Sequence, residues 1–119
     1  MMTTQEVADK LVEMCRAGKV EEVKVDLFTE DTISVEPREG VLPLETKGLL
    51  AIQQKAELFI SMVDEFHGNT ISDPIVAGNY FSLVWDTDLK MKGSDREMMS
   101  ELCVYEVRDD KILSERFFY

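Results

Sequence analysis

Hydrophobic and polar positions alternate through the last third of the chain, from Asn79 to Tyr119, and recur at helical spacing before it. In NYFSLVWDTDLKMKG, Phe81, Leu83, Trp85, Thr87 and Leu89 fall on one face, and Ser82, Asp86, Asp88 and Lys90 on the other. A period of two sends successive side chains to opposite sides, so this stretch predicts a strand with one buried face. After a polar break at Gly93-Ser94-Asp95, SELCVYEV and KILSERFFY repeat the alternation, with Asp109-Asp110 as the tight turn between them. These runs predict an antiparallel meander.

The N-terminal half predicts the cover for that sheet. Thr3 and Glu6 have the spacing of a capping box. Val7, Ala8, Leu11, Val12 and Cys15 then repeat at helical spacing, and Gly18 is a natural stop. A shorter helix runs through Val20, Val23 and Phe28. TISVEP reads as a short strand that Pro37 ends, and REGVLPLETKG as the longest irregular loop. From Gly48, a third helical stripe holds Leu49, Ile52, Ala56, Phe59, Ile60 and Val63. FHGNTISDPIVA predicts a strand interrupted by a bulge at Pro74, and Gly78-Asn79 turns it into the meander. With no repeat or linker in view, the reading is one α+β domain over residues 1–119, helices on one face of a curved sheet.

Charge narrows the partners. The net charge is -11 and the pI near 4.4, which argues against nucleic acid and against an anionic membrane surface, since both need Lys and Arg nearby. No apolar run approaches the ~20 residues that cross a bilayer, and MMTTQEVADK does not read as a signal peptide, so the cytoplasm is the expected compartment. Cys15 and Cys103 form no metal or disulfide framework, and no cationic neighbour marks either as reactive. Neither a metal nor another cofactor is expected.

The order helix, short helix, short strand, helix and long strands resembles the nuclear-transport-factor-2-like proteins, which include ketosteroid isomerase and the SnoaL-like polyketide cyclases. The most specific stretch is DLFTEDTISVEPREG followed by GLLAIQQ, similar to the isomerase pattern of a strand ending in an acid beside Pro and then a Gly-led helix. KILSERFFY resembles the family's aromatic closing strand. The resemblance implies a cone-shaped (cystatin-like) fold: about three N-terminal helices packed on a strongly curved antiparallel sheet. It also implies a proton-shuttling carboxylate at or beside Glu36. The isomerase's two oxyanion donors, a Tyr and a protonated Asp, correspond to Leu11 and Cys103 here. Leucine donates no hydrogen bond and a thiol donates weakly, so the isomerase mechanism itself is not expected.

A cavity lining follows from the alternation. With Cys103 and Trp85 inward, period two adds Glu101, Tyr105, Leu83 and Leu89, and strand pairing adds His67, Asn69, Phe117 and Tyr119, with Glu115 at the rim. Leu11, Cys15 and Phe59 join them from the helices. This predicts a mostly apolar pocket for a small apolar molecule. Glu36 and His67 are the candidate acid–base pair and Glu101 a third candidate, because burial and pairing tune such groups. The plainer reading has Glu36 capping a loop, His67 bonded on its strand and Glu101 at a wet mouth. The functions in view are isomerase- or cyclase-like chemistry through Glu36 and His67, or non-catalytic binding, or a dimeric interaction protein. Val84, Leu102, Val104 and Phe118 make the sheet's other face apolar, which predicts a homodimer through it.

Overall fold

A computed structural model describes residues 1–119. Three helices, α1 (Thr4–Arg16), α2 (Val20–Leu27) and α3 (Leu49–Ser61), cover a sheet of seven strands: β1 (Ile33–Val35), β2 (Glu45–Lys47), β3 (Val63–Ile71), β4 (Ile75–Ala77), β5 (Tyr80–Met91), β6 (Arg96–Arg108) and β7 (Lys111–Phe118). The strand order is β2-β1-β7-β6-β5-β3, with β4 also paired to β5, so the curved sheet stays open at both ends. No helix is long and apolar enough to cross a membrane.

Local chemistry fixes the ends of these elements. Thr3 Oγ1 accepts from the Glu6 amide at 3.1 Å and the Thr3 amide donates to Glu6 Oε1 at 2.9 Å, the capping box read from the sequence. Asp109 and Asp110 both have positive φ, 51° and 68°, as a type I′ turn between β6 and β7 requires. Gly48 opens α3 at φ 93°, and a Cβ there would stand 3.2 Å from the Glu30 carbonyl oxygen, so glycine is needed on both counts.

Three expectations need correction. The sheet is mixed rather than antiparallel, because β1 runs parallel to β7, pairing Ser34 with Glu115. A parallel neighbour needs a long crossover, and here α3 and the whole meander supply it. The REGVLPLETKG segment is not wholly irregular: Glu45–Lys47 returns as β2 against β1, closed by hydrogen bonds from the Glu36 amide to the Leu44 carbonyl and from the Gly48 amide to the Thr32 carbonyl. Pro74 falls in a gap between β3 and β4, whereas the register shifts of β3 lie upstream, at Val63/Glu65 and Phe66/Gly68.

The core lies between α1, α2 and the meander. Val7, Ala8, Leu11, Val12 and Cys15 of α1 meet Phe81, Leu83, Cys103 and Tyr105 of β5 and β6, all buried. Phe81 and Tyr105 stack with ring centroids 4.7 Å apart. Each such large apolar side chain contributes about 1.5–3 kcal/mol of burial. On α3 only Ile52 is fully buried; Leu49 packs against the core, and Ala56, Phe59 and Ile60 face a cavity.

Candidate functional site

The cavity has a volume of about 620 Å³ and is lined by 28 residues, 18 of them hydrophobic. Its ceiling is α3, through Ile52, Lys55, Ala56, Phe59 and Ile60, and its floor is the concave face of the sheet, through Trp85, Thr87, Leu89, Met99, Glu101 and Phe117. That size and composition suit a small organic molecule.

One wall is polar. Along β1 the buried set is Thr32, Ser34 and Glu36, whereas Ile33 and Val35 are half-buried on the opposite side. Burial of polar groups is tolerated when each is bonded, and here each has a partner. Thr32 Oγ1 donates to the Ile112 carbonyl at 2.6 Å. Ser34 Oγ donates to Glu115 Oε1 at 2.7 Å and accepts from Lys55 Nζ at 2.6 Å. Lys55 Nζ also reaches Glu36 Oε2 at 2.8 Å, and the Tyr119 hydroxyl donates to Glu36 Oε1 at 2.6 Å. The side chains of Lys55 and Glu36 are 9% and 6% exposed, so this is a buried ion pair.

A second carboxyl faces the same space from β6. Glu101 stands opposite Trp85 in the strand register and lines the cavity, with no hydrogen-bond partner in the chain. Burial raises its pKa to about 7, the charges of Glu36 and Glu115 push the same way, and Lys55 opposes them. Glu115, buried at 5% exposure, is also raised by desolvation, against the Ser34 hydrogen bond and the charges of Lys24 and Lys55. Burial and the hydrogen bond to Glu36 raise the Tyr119 hydroxyl, so it keeps its proton and donates. Burial lifts the Cys15 thiol to about 11 and raises Cys103 as well, which leaves both as unreactive thiols.

Of the residues expected at the site, Glu36, Leu11, Cys15, Phe59, Asn69, Trp85, Glu101, Phe117 and Tyr119 line the cavity. Three do not. His67 is exposed on the outer face, where its Nε2 lies 2.9 Å from Glu65 Oε1. The shift between Phe66 and Gly68 inserts one residue into the alternation, so Phe66 and Asn69 face inward and His67 outward. Leu83 and Cys103 point inward but are packed in the core under α1, away from the cavity. Glu115, expected at the rim, is buried against Ser34.

The site's central cation escaped the sequence reading. Lys55 lies three residues after Ile52 and four before Phe59, on the apolar stripe of α3, where a solvated lysine has no reason to sit. That position was the available signal. The inward polar set of β1 was the other.

Three helices on a mixed, curved and open sheet make this a fold of the nuclear-transport-factor-2-like type. The chain belongs to the SnoaL-like domain family, whose model matches residues 2–119. A protein of known structure from Mesorhizobium loti, described as a SnoaL-like polyketide cyclase, is 30% identical with a TM-score of 0.92, covering 99% of this chain and 100% of that one. Similarity of fold alone extends to an NTF2-like protein of unknown function from Burkholderia pseudomallei (8% identity, TM-score 0.79, 99% and 92% covered). It extends also to a protein with a ketosteroid-isomerase-like fold from Catenulispora acidiphila, in complex with trimethylamine (19% identity, TM-score 0.71, 98% and 87% covered). No curated protein matches the sequence.

Proposed function

We propose that this SnoaL-like domain binds a small, mostly apolar molecule in its cavity and exchanges a proton with it, in isomerase- or cyclase-like chemistry. Glu101 is the proton carrier and Glu36 its partner carboxylate. The observation that carries this reading is Glu101 itself: a cavity-facing carboxyl with no bond to the chain and a pKa of about 7. General acid–base catalysis is most efficient when the catalytic pKa is near the working pH. Glu36 has both oxygens engaged, by Lys55 and Tyr119, so its part is to hold charge beside Glu101. His67, turned outward, has no part in this chemistry.

The experiment is base-catalysed ring opening of nitrobenzisoxazole, a neutral apolar probe whose reaction needs only a carboxylate in a dry pocket. The rate should rise with pH through an inflection near 7. Glu101→Gln should lower it by about 100-fold or more and abolish the inflection. An unchanged rate in a folded Glu101→Gln protein would refute the assignment.

The second reading is a binding protein without turnover. Leu11 and Cys103, where the resemblance would have had oxyanion donors, favour it, and so does the engagement of both Tyr119 and Lys55 by Glu36. In that case the probe binds and is released unchanged. Under either reading the apolar outer face of the sheet joins two copies into a dimer.

A further inference from the structure

The charged side chains of the cavity are unequally available to a ligand. Lys55 is engaged by Glu36 at 2.8 Å and Ser34 at 2.6 Å, the second oxygen of Glu36 by Tyr119, and Glu115 by Ser34. Lys24, also in the lining, is held by Glu21 at 3.2 Å, and Glu22 is exposed. Among the buried and half-buried ions that line the cavity, Glu101 alone has no partner. The walls beside it are aromatic: Trp85 opposite it in register, and Phe117 on the neighbouring strand. Phe117 already accepts a cation, since Lys55 Nζ lies 5.2 Å from its ring centroid.

From this arrangement we infer that the cavity selects apolar molecules carrying one cationic amine and rejects carboxylates of the same size. The inference rests on the reading of the cavity as a small-molecule site and names the ligand class that site takes. A carboxylate entering it meets Glu36, Glu101 and Glu115, with the one deep lysine already committed. Buried charge is costly without a partner, so such a ligand has nothing to repay its desolvation. An ammonium group supplies the partner that Glu101 lacks, and aromatic faces attract it further. It brings a full opposite charge to the Glu101 carboxylate, whereas an alcohol brings only a neutral donor.

The test uses three probes of near-equal shape, adamantanamine, adamantanol and adamantane carboxylate, titrated calorimetrically into the intact protein. The amine should bind about 10-fold tighter than the alcohol, and the carboxylate should give no heat. At about pH 6 the incoming ammonium should displace the Glu101 proton, read as a dependence of the heat on the buffer's ionisation enthalpy. Glu101→Gln should bring the amine down to the level of the alcohol and abolish the proton release, and its thermal melt reports whether the fold is intact. A carboxylate that binds as tightly as the amine, or an amine preference that survives Glu101→Gln, overturns charge selection while leaving the small-molecule site in place. No heat with any of the three overturns both.

Discussion

Replacing Lys55 by methionine tests the network at its centre. The side chain has 9% exposure and makes two hydrogen bonds, one of them to a glutamate with 6% exposure. Removing one partner of a buried ion pair costs about 3–5 kcal/mol, because the remaining charge is left without compensation. Three features move the estimate to the low end. Glu36 keeps the Tyr119 hydrogen bond, Ser34 keeps Glu115, and methionine refills the space of the lysine stem beside Phe117. The expected loss at about pH 8 is therefore roughly 3 kcal/mol, which in a domain of 119 residues lowers Tm by about 10–15 °C. A stranded carboxyl relieves its burial by taking a proton, so the penalty should shrink to about 1 kcal/mol near pH 5. Lys55→Met combined with Glu36→Gln should recover most of the loss at about pH 8, since no charge is then stranded. Urea denaturation at the two pH values reads all of this. Equal destabilisation at both, or a double variant as weak as the single, would refute the argument that Lys55 acts through the charge on Glu36.

Three more outcomes follow from other parts of the molecule. The folded state holds the Glu101 proton up to about pH 7, whereas the unfolded chain loses it near 4.5, so this group costs stability as pH rises between those values. Glu101→Gln should thus stabilise the protein by up to roughly 3 kcal/mol at about pH 8 and not at all near pH 4, read by the same denaturation experiment. Trp85 lines the cavity and is the sole tryptophan, so an apolar ligand should change its fluorescence. Trp85→Ala should weaken binding and also cost about 3 kcal/mol of stability; unchanged affinity would place the residue outside the site. On the outer face, Val84, Leu102 and Phe118 form one row across β5, β6 and β7, each 42–50% exposed. Light scattering should give a dimer at micromolar concentration and Leu102→Asp a monomer of 13.6 kDa, and a monomeric parent protein would dismiss the interface.

Local signals were legible in the sequence and long-range ones were not. The capping box at Thr3, the Asp109-Asp110 turn and the buried stripe of α1 rest on chemistry within a few residues, and each is present. The parallel pairing of β1 with β7 joins residues some eighty positions apart, and nothing in TISVEP states the direction of its neighbour. β2 has only three residues, too few for alternation to register. At His67 a bulge interrupts the period of two, and one extra residue reverses every side chain beyond it. Leu83 and Cys103 are buried on the inner face of the sheet. Whether that face meets a helix or a cavity depends on where α1 lies, which alternation does not encode.

The polar site was hidden by two apparent errors that explain each other. A strand reading Thr32-Ile33-Ser34-Val35-Glu36 would ordinarily turn its isoleucine and valine inward, and a lysine among Ile52, Ala56 and Phe59 would ordinarily break an apolar stripe. Taken alone, each anomaly invites reassignment: the strand flipped, the lysine moved to solvent. Taken together they are complementary, because a buried cation and a buried hydroxyl–carboxylate row remove each other's desolvation cost only if both face the same interior. The fold accounts in this way for Lys55, Ser34, Glu36, Glu115 and Tyr119, each of which has a partner inside the chain. Glu101 has none, and burial beside two other carboxyls makes it a liability to stability. On the proposed reading, this half-buried acid, unsatisfied by the fold and facing a cavity of about 620 Å³, takes its partner from what enters that cavity. That is the physical ground for assigning function to this residue rather than to the bonded ones around it.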